Sequence, residues 1–175
     1  MKIGKIIAVC TSPNSGVPKY PHTSGLIGQY GLIGDYHCRP MRQSFSKPGT
    51  EKPNTDRHIT IVAKEVVDEL NHELGINVPI GGLGENILVE GLGDLSYING
   101  GNVCIGIGPT TVGDNNIILR FVEQNQPCHN LAPYHPHYVK KIYGRRGLLC
   151  AVEGGIGKLI RPDDSITIYT DFGPI

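Results

Sequence analysis

Short apolar runs separated by turn residues make up the hydrophobic pattern of this chain of 175 residues. Runs rich in valine, isoleucine and threonine, bounded by glycine, asparagine or proline, are typical of β-strands. The first predicted strand covers residues 3–9 (IGKIIAV). The others lie in HITIV, ENILVEG, NVCIGIG, NIILRFVEQ, GLLCAVEGG, GKLIR and DSITIYT. DNN, residues 114–116, predicts a tight hairpin, and EGGIGKLIRPDDSITIY predicts a closing hairpin.

One segment after HITIV changes to the spacing of a helix. The apolar residues at this spacing are Val66, Val67, Leu70 and Leu74. Gly75 follows them as a suitable helix stop. HPHYVKKIYG predicts one short helix with Pro136 in its first turn. We therefore expect a single domain over residues 1–175, mostly β, as a barrel or folded sheet with one longer helix and one or two short helices.

Composition and charge narrow the function classes. The chain has 39% hydrophobic and 18% charged residues, which is typical of a globular protein. Its 16 basic and 16 acidic residues give a net charge of zero, which argues against broad binding of nucleic acid or anionic membrane. No apolar run approaches the roughly 18 residues that span a bilayer. The N-terminal run is short and lacks a cleavage site, so the cytoplasm is the expected compartment.

The cysteines fall into two kinds of sequence context. Cys10, Cys104 and Cys150 lie in apolar runs, which predicts inert buried thiols. Cys128 instead follows Pro127 in the polar segment EQNQPCHNLAPYHPHY. Such a thiol attacks or binds metal as the thiolate, which neighbouring cationic groups stabilise. Cys128 is thus a candidate for sulfur chemistry, and a half-buried loop thiol is the alternative. No CxxC pair is present.

Two glycine-rich segments contain candidate binding residues. GGLGENILVEG, residues 81–91, places Glu85 and Asn86 at a tight turn, where side-chain oxygens commonly cap backbone groups. No GK[ST] follows, so the segment is not a phosphate-binding P-loop. In YGRRGLLC, Arg145 and Arg146 precede a strand and form either a small anion-binding corner or a pair of ordinary solvated arginines.

The long connection between Cys10 and Arg57 is rich in Gly, Pro, Ser and Asn, and a connection of this length in a small domain is often functional. It contains GDYHCRPMRQ, in which His37 adjoins Cys38. A zinc site from these two residues with His135 and His137 is disfavoured, because the spacing does not bring four ligands together.

These segments, taken in order, resemble the MOSC domain, which is named for the C-terminal part of molybdenum cofactor sulfurases. The matching motifs are GLIGDYH, RHITIV with the following helix, GGLGENILVEGL, QPCHNL and GRRGLLCAVEGGIGKLIRPDDSI. The resemblance covers residues 4–169 and is to a small stand-alone prokaryotic member. It implies a mostly β, barrel-like fold and a role in binding molybdenum cofactor or in handling sulfur.

The resemblance also implies roles for particular residues. Cys128, in the P-C motif, would be the sulfur carrier or the molybdenum ligand, and a thiolate suits both tasks. Asn86 and Glu85 align with the turn motif and would shape the pocket. We expect Arg145 and Arg146 to contact an anionic group of the cofactor.

His37 and Asp35 match a looser motif of the family and would polarise a bound group. Cys38 stands where many members have a small residue, and it could resolve a persulfide on Cys128. No lysine lies in a recognisable pyridoxal-phosphate motif, so pyridoxal phosphate is not expected.

Three functions follow as hypotheses. The first is a molybdenum cofactor protein, in its most concrete form a molybdenum-dependent reductase of N-hydroxylated substrates. The second is a metal-free persulfide carrier or sulfur transferase. Either would work with a cysteine desulfurase or a redox partner protein. The third is a non-catalytic binding module with a structural thiol.

Overall fold

The computed structural model describes residues 2–44, 46–100, 102–108, 117–170 and 173–174. Its strands are β1 Ile3–Thr11, β2 Tyr20–His22, β3 Gly25–Gly28, β4 Gly31–Leu32, β5 Met41–Gln43, β6 Glu51–Pro53, β7 Ile59–Ala63, β8 Ile87–Glu90, β9 Val103–Gly108, β10 Ile117–Gln124, β11 Leu148–Gly154, β12 Leu159–Ile160, β13 Ser165–Thr170 and β14 Gly173–Pro174. Its helices are α1 Lys64–Leu74, α2 Tyr138–Lys141 and a short 3-10 helix at His129–Leu131.

Seven strands close into a barrel, in the order β1, β13, β9, β10, β11, β7 and β8, with β8 returning to β1. The first strand makes this closure possible because its first residues pair with β13, as in Ile3↔Thr167, while its later residues pair with β8, as in Val9↔Ile87. All neighbours in the barrel are antiparallel except β7 and β8, which are parallel. The prediction of a mostly β, barrel-like fold is confirmed.

The barrel interior is the main hydrophobic core. Along β10, Ile117, Leu119 and Phe121 are buried and the residues between them are half-buried, as the alternation of a strand requires. Branched side chains from the facing strands fill the space between them, including Ile6, Ile105 and Ile168. This burial is the largest favourable contribution to folding.

Helix α1 connects the two parallel strands, as a parallel pair requires. It buries Val66, Val67 and Leu70 against the core. The helix ends at Gly75, which adopts the left-handed conformation at φ 63° and donates its N–H to the carbonyl of Asn71. The predicted helix and its stop are confirmed. No helix within the described ranges is long and apolar enough to cross a membrane.

Two local predictions are wrong and one lies outside the described residues. The segment EGGIGKLIRPDDSITIY does not form a hairpin, because Leu159 in β12 pairs with Leu26 in β3 while β13 lies between β1 and β9. Barrel closure, a long-range requirement, decides these partners. Helix α2 begins at Tyr138, so Pro136 precedes it. The predicted hairpin at 114–116 is not among the described residues.

The long connection before β7 holds an element that we call the hairpin arm, residues 39–54, which contains β5 and β6. These two strands form a separate two-stranded sheet. Buried Asn54 closes the base of the arm: its side-chain amide donates to the carbonyl oxygens of His37, at 3.0 Å, and of Arg39, at 3.1 Å. Its backbone N–H donates to the carbonyl of Pro40 at 2.8 Å. The arm is therefore anchored beside the barrel at a fixed point.

Candidate functional site

A cavity of about 670 Å³ opens between the hairpin arm, the segment after β10 and the residues before β11. Cavities of this size accommodate small organic ligands and cofactors. The charged, histidine, amide and thiol side chains that line it are Lys19, His37, Arg39, Arg42, Gln43, Arg57, His58, Asn86, Glu123, Gln124, Asn125, Gln126, Cys128, His129, Asn130 and Arg146. Five of these, four arginines and one lysine, carry basic groups and one is a carboxylate, so the lining is basic although the whole chain is neutral.

Cys128 lies in the wall of this cavity, half-buried. Strands β10 and β11 pair with Gln124 opposite Leu148, which places the segment after β10 beside the residues that precede β11. Arg146 is one of those residues. Its Nη1 donates to the carbonyl of Gln126 at 2.7 Å and lies 3.8 Å from the Cys128 Sγ. The thiol therefore has both access to solvent and a cationic partner, which are the conditions for a reactive cysteine.

The Arg146 guanidinium is itself held tightly. Its Nη2 donates to the carbonyl of Leu83 at 2.8 Å, and the residue is only 9% exposed. Its Nε is buried and has no hydrogen-bond partner within the described part of the chain. Because buried donors without partners are uncommon and costly, this one is available for a ligand.

Glu85 and Asn86 have different positions in the GGLGEN turn. The buried Glu85 carboxylate accepts the backbone N–H groups of Gly81, at 2.6 Å, and Leu83, at 3.1 Å, and so stabilises the turn. Burial raises its pKa. Glu85 does not line the cavity, whereas Asn86 does. The turn also needs glycine at Gly81, because φ is 82° and a Cβ there would lie 2.0 Å from the carbonyl oxygen of Lys19.

Asn86 fixes one wall of the cavity by connecting strands β1 and β7. Its Oδ1 accepts the backbone N–H of Thr60 at 3.1 Å, and its Nδ2 donates to the carbonyl of Cys10 at 3.1 Å. These bonds use the amide for structure, so Asn86 holds one wall of the cavity in place.

Asp35 lies beneath the cavity in an ion pair with Lys19, whose Nζ is 2.9 Å from Oδ2. The two side chains are only 2% and 1% exposed. Asp35 also accepts the backbone N–H groups of Ser12 and His37. Burial lowers the pKa of Lys19, and the neighbouring Asp35 opposes this effect. Lys19 has no local sequence signal of this role, because a lysine in a proline-rich connection resembles a solvated one.

His37 lines the cavity and is exposed to its solvent. Desolvation by the groups around the ring and the charge of Lys19 lower the pKa of His37 to about 4, and the charge of Asp35 opposes them. Its ring is therefore neutral near pH 7 and can accept a proton or a hydrogen bond from a bound group.

Arg145, in contrast, does not line the cavity. Its guanidinium makes two hydrogen bonds to the Glu69 carboxylate of α1, at 3.0 and 2.6 Å. These bonds lower the pKa of Glu69. The position of Arg145 gives no support to the expected contact with an anionic cofactor group and indicates an anchor for α1.

Three other cations line the cavity: Arg39, Arg42 and Arg57. All three belong to the long connection between Cys10 and Arg57, and none was predicted individually from the sequence. Arg39 stacks on the ring of Tyr36 at 4.0 Å. Arg42 pairs with Asp56 at 3.1 Å, and Arg57 pairs with Glu123. The only sequence signal was their position in that connection.

The remaining cysteines are less accessible or face elsewhere. Cys10 and Cys150 are fully buried, as predicted, whereas Cys104 is half-buried. Burial raises the pKa of Cys10 to about 12. Cys38 is half-buried and does not line the cavity, which gives no support to a resolving role toward Cys128.

The residues considered for a zinc site form no metal-binding cluster among the described residues. Within the described ranges, no three histidine, cysteine or acidic side chains lie close enough together to hold a metal ion. His135 and His137 contact each other, with ring centroids 5.4 Å apart, but they do not line the cavity with His37.

The chain is similar to a known family and to solved structures. A family model described as the MOSC domain matches residues 34–167. The crystal structure of the YuaD protein from Bacillus subtilis superposes with a TM-score of 0.79 at 21% identity, covering 95% of each chain. That of YiiM from Geobacillus stearothermophilus superposes with a TM-score of 0.66 at 18% identity, covering 94% of this chain and 74% of YiiM. No curated protein matches the chain.

At these identities the two structures establish a shared fold and nothing more. The assignment rests on the family model, which covers residues 34–167 and so includes Asn86, Cys128 and Arg146 of the cavity. Because it matches well over half of its length, this chain belongs to the MOSC domain family, which is associated with molybdenum cofactor binding.

Proposed function

We propose that this protein binds molybdenum cofactor in the cavity, with the Cys128 thiolate as the protein ligand to molybdenum. The observation that supports this proposal is the surroundings of Cys128. Its sulfur lies in a cavity of about 670 Å³, beside the Arg146 guanidinium at 3.8 Å, with Asn86 in the same lining.

The residues present fit such a group. A thiolate is a soft ligand that suits molybdenum–sulfur chemistry. A single cysteine does not hold a bare metal ion, and no cluster of further ligands exists in the described part of the chain. This favours a metal that arrives already bound to its organic cofactor. The unpartnered Nε of Arg146 supplies a donor for that cofactor.

Each cavity residue has a task that follows from its position. Arg146 stabilises the negative charge of the thiolate, and the carbonyl of Gln126 keeps the guanidinium in place. Neutral His37 is available as a proton acceptor for a bound substrate. The bound cofactor would supply two-electron redox chemistry, and reduction of N-hydroxylated substrates is the concrete version that we propose.

A metal-free sulfur carrier is the second candidate, favoured by the same exposed thiolate. Cys128 would attack the outer sulfur of a persulfide on a donor such as a cysteine desulfurase. One S–S bond forms as another breaks, the donor leaves as a thiolate, and Cys128 becomes a persulfide. The cation of Arg146 would then stabilise the persulfide anion.

Metal analysis separates the two candidates. Protein produced in cells supplied with molybdate should contain stoichiometric molybdenum, which Cys128→Ala should lose. Cys104→Ala is the matched control, because Cys104 is also half-buried but does not line the cavity. Absence of molybdenum from the parent protein, or retention by Cys128→Ala, would contradict the cofactor proposal. In the first case, incubation with a cysteine desulfurase should add the mass of one sulfur atom to Cys128 if the protein is a carrier.

A further inference from the structure

The charges that line the cavity are not balanced within the described residues. Lys19, Arg42 and Arg57 each have a carboxylate partner, in Asp35, Asp56 and Glu123 respectively. Arg39 and Arg146 have no carboxylate within ion-pair distance in that part of the chain. Arg146 donates to the carbonyls of Gln126 and Leu83 and lies 3.8 Å from the Cys128 Sγ. Arg39 is left as a cation for which the described residues provide no anion.

Arg42 also lacks hydrogen-bond partners for part of its guanidinium among the described residues. Its side chain is only 11% exposed, and one nitrogen, Nη2, reaches Asp56. Within the described residues, its Nε and Nη1 are buried without a hydrogen-bond partner, and so is the Nε of Arg39. A buried donor of a charged group that lacks a partner is costly, and an unoccupied ligand position is an ordinary explanation for it. Both side chains line the cavity.

The two arginines are held in place before any ligand arrives. Arg39 rests on the Tyr36 ring at 4.0 Å, and its carbonyl accepts the Asn54 amide at the base of the hairpin arm. Asp56 fixes one end of the Arg42 guanidinium. Desolvation lowers the pKa of His37 most, the charges of Lys19, Arg39 and Arg57 lower it further, and Asp35 opposes them. Positive charge therefore predominates around His37.

We propose that Arg39 and Arg42, both on the hairpin arm, form an oxyanion-binding subsite. It binds a phosphate or carboxylate group of the molecule that enters the cavity beside Cys128. A guanidinium presents its donors as a planar fork, and such groups bind these oxyanions with two parallel hydrogen bonds. The inference requires only the cavity and its arginines, so it does not rest on the assignment of Cys128 as a molybdenum ligand.

Calorimetric titration of the purified full chain tests the subsite, with inorganic phosphate and acetate as the two probes. Ionic strength is held constant with chloride, so that only specific binding is measured. We expect saturable binding of at least one probe, and the tighter of the two identifies the group that the subsite prefers. Arg39→Gln and Arg42→Gln should each weaken that binding by about tenfold.

Arg120→Gln is the matched control. Arg120 pairs with Glu153 on the outside of the β10–β11 pair and does not line the cavity, so its loss removes the same charge without touching the subsite. If Arg42→Gln fails to fold, Arg39→Gln decides the question alone. The proposal is overturned if neither probe binds saturably, or if Arg39→Gln binds the probe as tightly as Arg120→Gln. Molybdenum content is a separate readout, so failure of one proposal leaves the other standing.

Discussion

Arg145 and Arg146 are neighbours in sequence with opposite surroundings in the fold. Arg145 pairs with Glu69 on α1, whereas Arg146 is buried beside Cys128. Both residues lie in the turn that precedes β11, and only Arg146 lines the cavity. The sequence predicted an arginine near an anionic site, but it contained no signal for which of the two. For Cys128 the local sequence was sufficient to predict a position outside the core, because a cysteine in a polar segment after proline is rarely a core residue.

The contact between Arg146 and Cys128 predicts a change in thiol reactivity. Arg146→Gln should slow iodoacetamide labelling of Cys128 at neutral pH roughly fivefold, equivalent to about 1 kcal/mol lost from stabilisation of the thiolate. Peptide mass spectrometry measures the rate for each cysteine. Arg145→Gln is the control and should leave the rate unchanged. A Cys128 that resists labelling in the native parent protein would instead support the structural thiol.

At the level of elements, the cavity floor depends on contacts between segments that are far apart in sequence. The carboxylate of Asp35 joins Lys19, the residue after β1 and the turn that carries His37. The strands and α1 were predictable because alternation and helical spacing are local properties. The ion pair was not, since both partners lie in a connection without any periodicity.

This buried pair predicts a large effect of single substitution. Lys19→Met leaves the Asp35 carboxylate buried without its cation, which should cost about 3–5 kcal/mol of unfolding free energy in urea titration. The double variant Lys19→Met/Asp35→Asn should recover part of that loss, because no charge then remains buried. Equal stability of the single variant and the parent would show that the pair does not hold the cavity floor.

For the whole molecule, zero net charge conceals an uneven distribution. The cavity gathers five cations and one carboxylate in its lining, while acidic residues such as Glu69 and Glu73 lie on the outer face of α1. Composition therefore argues only against a basic surface of the kind that grips nucleic acid. Composition cannot reveal a basic cavity, because the charges of such a cavity come from separate segments that only the fold brings together.

The cavity also affects how the stability of the whole protein depends on pH. The pKa of His37 falls from 6.5 to about 4 on folding. Between these two pH values His37 is therefore protonated in the unfolded chain and neutral in the folded chain. The folded state loses stability as pH falls through this window, and the loss ends near pH 4, where both states are protonated.

His37→Gln removes this contribution and should therefore change the pH profile. The melting temperature of the variant, relative to that of the parent, should rise as pH decreases from 6.5 to about 4 and then level off. Calorimetric melting at a series of pH values measures the difference, and other titrating groups cancel because both proteins share them. Parallel profiles would contradict a His37 that stays neutral down to about pH 4 in the folded state.

The sequence by itself determined the seven barrel strands, the helix with its stop at Gly75 and the candidate thiol, because burial alternation, helical spacing and a polar context are all readable within a few residues. It did not determine the short strands β2 to β6 of the long connection. Tertiary structure decided the rest. Closure of the barrel placed β13 between β1 and β9, and the β10–β11 register set Arg146 beside Cys128. Pairing between distant segments depends on the combined geometry of all seven barrel strands, which no short stretch of sequence contains.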